Sequence, residues 1–155
     1  KLLGVGMILF GWAKPVPVTW ENLRHPRRDM VLVAAAGPAS NLLMALLWGA
    51  LTKIATLMPV TTHWVAEPML YMGAFGVLFN VLLMVFNLLP LPPLDGGRVA
   101  AGLLPGRWGW GLSRLEPYGF FILIGLMLTG VLWFLIDPVR QFFTRLMFMI
   151  VGLGP

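Results

Sequence analysis

The sequence predicts an all-α membrane protein, a polytopic bundle of transmembrane helices with about three clear spans. Apolar residues make up 59% of the 155 residues and charged residues 11%, whereas soluble domains average ~45–50% and ~25%. Such a chain cannot cover a soluble fold with polar surface, which excludes a disordered chain and argues against a soluble enzyme. Cysteine is absent, which excludes disulfides, thiolate zinc sites and cysteine nucleophiles. Residues 1–155 are treated as a single membrane domain.

Three windows without a formal charge define the spans. They cover residues 30–52, 68–94 and 117–136, and about 20 apolar residues cross a ~30 Å hydrocarbon core. We therefore predict membrane helices at roughly 30–52, 69–90 and 117–136. The alternative, buried helices of a large soluble protein, needs amphipathic covering helices, and the chain has none left to supply them.

The sequence leaves two structural alternatives for each of two flanking segments. Residues 2–10 are apolar but short and contain Gly4 and Gly6, which indicates the tail of a span or a re-entrant piece. Residues 139–153 carry Arg140 and Arg145 before an apolar run. This segment is either an interfacial helix or a short last span.

The cations predict the orientation of the spans and their contact with lipid. The net charge of +5 is concentrated in short clusters, which is typical of anionic headgroup contact rather than nucleic-acid binding. The positive-inside bias places 11–29 and 95–116 in the cytoplasm and 53–67 on the other side. Arg140 and Arg145 then lie against the bias unless the last segment folds back. The aromatic residues near span ends read as an interfacial belt: Trp108, Trp110, Tyr118 and Trp133.

The strongest local signal follows the second span, where NLLPLPPLDGGR occupies residues 87–98. Prolines stop the helix, and Asp95 then precedes two glycines that permit a tight backbone. A carboxylate at membrane depth is costly unless it is paired, hydrogen-bonded or metal-bound, and its oxygen is a competent zinc ligand. The simpler interpretation is a surface turn, in which Asp-Gly is ordinary.

A second signal lies inside the first span, where GPASN occupies residues 37–41. Gly-Pro predicts a break or kink in the helix. Asn41 places an amide in the hydrocarbon region, where it needs a partner. The simpler interpretation is a packing kink in which Asn41 bonds to a neighbouring helix.

Together these residues resemble the site-2 protease family of intramembrane zinc metalloproteases. The resemblance covers about 90 residues and rests on four ordered motifs: GWAKPVPV at 11–18, NLRHPRRD at 22–29, AGPASN at 36–41 and the segment 87–98. It implies one zinc ion, with Asp95 as the third zinc ligand, and Asn41 and Asn87 shaping or polarising the cleft. It also implies a transmembrane helix of another protein as substrate. The expected location is a prokaryotic cell membrane, crossed several times.

One family element is missing from this chain. The family takes two zinc ligands and its general base from a His-Glu-x-x-His helix, but the only histidines are His25 and His63, 38 residues apart. We interpret His25 as a headgroup or backbone contact, and His63 with Glu67 as loop residues on the face away from Asp95. Because the first residue is Lys1, we expect the catalytic helix to lie upstream, with a natural inactive relative as the rival.

One carboxylate does not hold a catalytic zinc, which takes three protein ligands, so these 155 residues are expected to be inactive alone. The alternative function is a non-catalytic membrane protein, either a pseudoprotease scaffold or a transporter subunit. A transporter should place polar side chains in several spans. Only Asn41, Asn80 and Asn87 stand out there.

Overall fold

A computed structural model describes residues 25–153 of the chain, and all of its regular structure in that range is helical. The helices are α1 (Pro26–Leu57), α2 (His63–Asn87), α3 (Asp95–Leu103), α4 (Gly106–Arg114), α5 (Glu116–Leu128) and α6 (Val131–Ile150), with a 3-10 turn at Val60–Thr62. The all-α prediction is confirmed. The predictions for residues 2–10 and for the motif at 11–18 lie outside the described residues.

Helices α1 and α2 form an antiparallel hairpin that confirms the first two predicted spans. Both are long and apolar enough to cross a membrane, over Arg27–Leu57 and Val60–Asn87. At the start of α1 the backbone N–H of His25 donates to Asp29 Oδ2 at 3.0 Å, so the first turn begins ahead of the predicted boundary. Helix α2 also begins earlier than expected, at His63, and continues through Pro68, whose missing N–H leaves the carbonyl of Trp64 in the first turn without its helical donor.

Small residues bring α1 and α2 into close contact. Gly73 lies against Thr52 and the backbone carbonyl of Trp48, and Gly76 lies under the Trp48 indole. Side chains at either glycine would overlap these groups, which is why the helices can approach closely here. Between membrane helices, where lipid is as apolar as leucine, such close packing replaces the hydrophobic driving force. The buried core continues along both helices and into α6: Ala45, Val77, Val81, Met84, Val85, Leu132, Ile136 and Met147.

The predicted third span at 117–136 is wrong as a single helix. Helix α5 ends at Leu128, Gly130 adopts a left-handed conformation with φ of 75°, and α6 begins at Val131. A glycine in this conformation ends helices because it carries no Cβ to clash, and a hydropathy window does not register it. Helix α5 is about 20 Å long at 1.5 Å per residue, too short to span alone. Together with α4, from which it bends by 66°, it is long and apolar enough to form either one broken span or a re-entrant loop.

Helix α6 joins the end of that window to the segment predicted at 139–153. Its polar residues cluster at Asp137, whose carboxylate accepts from Arg140 Nε at 3.0 Å and from Gln141 at 2.6 Å. Its C-terminal end is tied to α1, since Lys53 Nζ donates to the Gly152 carbonyl at 2.8 Å. Within residues 25–153, α6 is not among the helices apolar enough to count as a span.

Candidate metal centre

Asp95 is the first residue of α3, and glycines fix where that helix begins. Gly96 and Gly97 are buried, the first against the backbone of Leu88 and the second against that of Leu91 and Pro92. A side chain at either position would overlap main-chain atoms, which cannot swing aside. The two glycines therefore allow the start of α3 to pack directly against the segment that follows α2. The negative charge of Asp95 also suits the first turn of a helix, where the helix dipole is positive.

The Asp95 carboxylate lies directly against Gly37 of α1. A Cβ at position 37 would overlap Asp95 Oδ2 and come within 3.3 Å of its Cγ. Further along α3, Gly102 packs against the Val31 side chain, so α3 runs antiparallel along the first half of α1. Gly37 is eleven residues after Pro26, which is about 16 Å along the helix. The half-buried carboxylate therefore lies within the candidate span Arg27–Leu57, away from its end.

The backbone of α1 is altered at the place where the carboxylate docks. Pro38 has no N–H, so the carbonyl of buried Ala34 lacks its usual helical donor. The Ser40 hydroxyl donates to the Gly37 carbonyl at 2.7 Å. Contrary to a predicted break, α1 continues through Pro38 from residue 26 to residue 57, because hydrogen bonds on both sides of the proline preserve the helix.

Asn41 and Asn87 lie at the level of this contact. Asn41 is one helical turn beyond Gly37, on the same face of α1. The antiparallel register fixed by Trp48 and Gly76 continues at equal rise along both helices, which places Asn87, the last residue of α2, at about the level of Gly37. Both amides are half-buried. The structure thus gathers the three predicted residues at one depth from three different helices.

His63 lies far from this place. It begins α2 at the opposite end from Asn87, a separation of about 36 Å along the helix. Its Nδ1 lies 3.4 Å from Glu67 Oε2, and both side chains are more than half exposed. The loop predicted for these two residues is wrong, because they form the first turns of α2. Their predicted separation from Asp95 agrees with the position of that end of the helix.

Over residues 25–153, no three histidine, aspartate, glutamate or cysteine side chains come together to hold a metal ion. Asp95 therefore fits a zinc site as one oxygen ligand and cannot hold the ion by itself. A groove of about 870 Å³ elsewhere is lined, among described residues, by part of α6: Trp133, Phe134, Leu135, Asp137, Pro138 and Gln141. It does not include Asp95 and is separate from the candidate site.

Sequence reasoning missed Gly37 as the seat of the carboxylate. A glycine directly before a proline within an apolar span predicts distortion of the helix, but it does not indicate which group packs against the glycine. Nothing in the pattern indicated that α3 would turn back along α1. That close approach needs a position without a side chain, and Gly37 provides it.

A carboxylate between apolar helices is a candidate functional site, and comparison with known proteins identifies the family of the chain. The profile of peptidase family M50 matches residues 49–129, and the chain belongs to that family. No solved structure matches the chain.

Bacterial relatives agree with this assignment. The chain is 35% identical over 149 residues to "Putative zinc metalloprotease YwhC" of Bacillus subtilis, covering 88% of this chain and 65% of that protein. It is 33% identical over 111 residues to "Putative zinc metalloprotease Rip2" of Mycolicibacterium smegmatis, covering 69% of this chain and 40% of the relative. The chain therefore spans less than two thirds of the length of these relatives.

Proposed function

We propose that this chain is part of an intramembrane zinc metalloprotease of the site-2 type, which hydrolyses peptide bonds within transmembrane helices, and that Asp95 is one of its zinc ligands. The observation that carries the proposal is the Asp95 carboxylate held against Gly37 at membrane depth. Among residues 25–153 no hydrogen bond or ion pair engages that carboxylate. A charge so placed is costly without a partner, and a metal ion is the partner that the family relationship supplies.

The other ligands belong to a part of the protein beyond these residues. A catalytic zinc takes three protein ligands and keeps one position for water. Asp95 supplies one oxygen, and His63 is too distant to join it. On this proposal a His-Glu-x-x-His helix supplies two imidazoles and the general base, and the 155 residues alone do not hydrolyse peptide bonds.

The bound zinc would supply Lewis acidity and a water molecule with a pKa of about 7. The residues of this chain contribute charge and orientation. Asp95 would hold the metal through a carboxylate oxygen, and its short side chain packs against Gly37 of α1. On this proposal the amides of Asn41 and Asn87 would donate to a peptide carbonyl and stabilise negative charge that develops on its oxygen.

The position of Asp95 along α1 also indicates the class of substrate. A peptide bond can reach a carboxylate some 16 Å along α1 only from within the membrane, so the substrate is a transmembrane helix that unwinds locally near the site. Unwound backbone at this depth is tolerated only where it lines a wet cavity or is buried in protein, and hydrolysis needs that same water. The apolar helices and bacterial relatives support a multi-pass protein of a prokaryotic cell membrane.

The test measures zinc content and cleavage in the full-length protein carrying Asp95→Asn. We expect wild-type protein to contain about one zinc per chain, and the variant to lose most of it, with cleavage of a transmembrane reporter reduced about 100-fold or more. Asp137→Asn is the matched control, because it removes a carboxylate outside the site and should retain both zinc and cleavage. Wild-type zinc content and cleavage in Asp95→Asn would contradict the assignment.

A further inference from the structure

We propose that one end of the molecule is a binding surface for the headgroups of anionic phospholipids, built by arginines from α1 and α4 that are far apart in sequence. We call this surface the basic collar. It comprises Arg27 and Arg28 at the start of α1, and Arg107, Trp108, Trp110 and Arg114 on α4.

Helix α3 brings the two groups of arginines together. Near its C-terminal end, Gly102 packs against Val31, and a Cβ there would lie 3.4 Å from the Arg27 carbonyl. The adjacent residue, Ala101, contacts Gly109 in the middle of α4. Helices α1 and α4 therefore both pack against the C-terminal part of α3. The close approach at Gly102 and Gly109 is what assembles the collar.

The arginines of the collar are exposed, and the two described acids nearest to them in the sequence, Asp29 and Glu116, accept hydrogen bonds from other groups. Asp29 accepts from the His25 backbone N–H at 3.0 Å. Glu116 pairs with Arg98 at 3.2 Å. Within residues 25–153, Arg27, Arg28, Arg107 and Arg114 form no ion pair, and their charge is available to an external anion. The opposite end of the hairpin differs, because Lys53 is bound to the Gly152 carbonyl and His63 lies beside Glu67.

The aromatic side chains orient this charge toward a membrane surface. The Arg114 guanidinium stacks on Trp110, with its central carbon 3.7 Å from the ring centroid, a contact that leaves the edge of the guanidinium free to donate. Guanidinium edges match phosphate oxygens with paired hydrogen bonds. Trp108 and Trp110 are 65% and 60% exposed, as expected of tryptophans at headgroup level.

The apolar residues around the basic collar favour a lipid over a nucleic acid as its ligand. The residues that flank α4 include large exposed apolar side chains: Leu103, Leu104, Leu115 and Tyr118. A membrane accepts these groups in its acyl region while the arginines meet its phosphates. A nucleic acid would neutralise the arginines and leave the apolar groups in water.

The experiment measures lipid preference in the full-length protein reconstituted into phosphatidylcholine vesicles. Energy transfer from tryptophan to dansyl-labelled phosphatidylglycerol is compared with transfer to dansyl-labelled phosphatidylcholine. Each interfacial arginine contributes about fivefold to binding of anionic lipid. We expect a clear preference for phosphatidylglycerol in the wild type, a loss of about fivefold in Arg107→Gln, and a larger loss in the double variant Arg107→Gln with Arg114→Gln.

Two controls keep the test decisive. Arg145→Gln removes an exposed arginine from α6, outside the collar, and should keep the preference. Arg107→Lys with Arg114→Lys keeps the charge and should keep most of the preference, which separates lost charge from misfolding. An equal loss in Arg145→Gln, no preference in the wild type, or release of the labelled lipid by a short DNA duplex would overturn the proposal.

Discussion

Most glycines of this protein have different surroundings in its two halves. In the site half, α1 to α3, every described glycine faces a neighbouring group at close range, from Gly37 against Asp95 to Gly102 against Val31. In the C-terminal half, α4 to α6, Gly109 and Gly119 lie against the backbone of Ala101 and Pro92, but Gly106, Gly111, Gly125 and Gly130 have no described atom within 4 Å of a Cβ position. The first half therefore contains more close contacts at glycines than the second.

The difference between the two halves shows where side chains are held in fixed positions. A metal ligand must be held within a few tenths of an ångström, and backbone in close contact across α1, α2 and α3 provides that restraint. The C-terminal half has a glycine break and a 66° bend and fewer such contacts. Substitutions that add a methyl group should therefore act very differently in the two halves.

The largest expected effect is that of Gly37→Ala. The new methyl group overlaps Asp95 Oδ2, so the carboxylate must swing away from its place. A displacement of about 1 Å in a catalytic group can cost about 100-fold, and we expect a loss of that order in reporter cleavage by the full-length protein, with a parallel loss of zinc.

The matched control for this prediction is Gly125→Ala, the same change in the middle of α5, where the structure leaves space. It should retain wild-type zinc and cleavage, since alanine is a better helix former than glycine. Equal activity of Gly37→Ala and Gly125→Ala would remove the contrast between the two halves.

A smaller effect is expected on stability from Gly76→Ala. The methyl group meets the Trp48 indole, and overpacking of this kind costs about 1–3 kcal/mol. The free energy of unfolding in mixed micelles should fall by that amount relative to Gly125→Ala. Adding Trp48→Phe to Gly76→Ala should restore part of it, because the smaller ring leaves room. A Gly76→Ala protein as stable as Gly125→Ala would show that the helices of the hairpin separate easily.

The smallest effect concerns pH and the C-terminal half. Hydrogen bonds from Arg140, and then from Gln141, lower the pKa of Asp137 below its ordinary value. A carboxyl group with a lowered folded-state pKa stabilises the fold above its unfolded pKa of about 3.9 and loses this contribution as the pH falls through the folded value. The difference in thermal midpoint between wild type and Asp137→Asn should therefore be present at pH 6 and shrink below pH 4. A difference that persists unchanged in acid would contradict the titration.

The sequence predicted the spans well where apolar character alone decides them. Two long charge-free windows became α1 and α2, because helices satisfy their own backbone hydrogen bonds in lipid. The third window failed, because its helix break depends on the left-handed conformation of Gly130. Hydropathy averages over that residue and reports only that its neighbours are apolar.

The candidate site was predictable as residues but not as an arrangement. Asp95 and Asn41 stand out because polar groups at membrane depth need a partner, the family resemblance adds Asn87, and the roles of all three as ligand and cleft residues stay a prediction. That Asp95 would rest on Gly37 depended on α3 turning back along α1, a contact between residues 58 positions apart.

Composition and charge pattern by themselves determined that this chain is helical and that it lies in a membrane, because a hydrocarbon core admits helices and few charges. The tertiary structure decided the depth of the carboxylate, the glycine that receives it and the meeting of arginines from α1 and α4. Each of these depends on backbones that approach within contact distance, and only folded helices determine which small residues face one another.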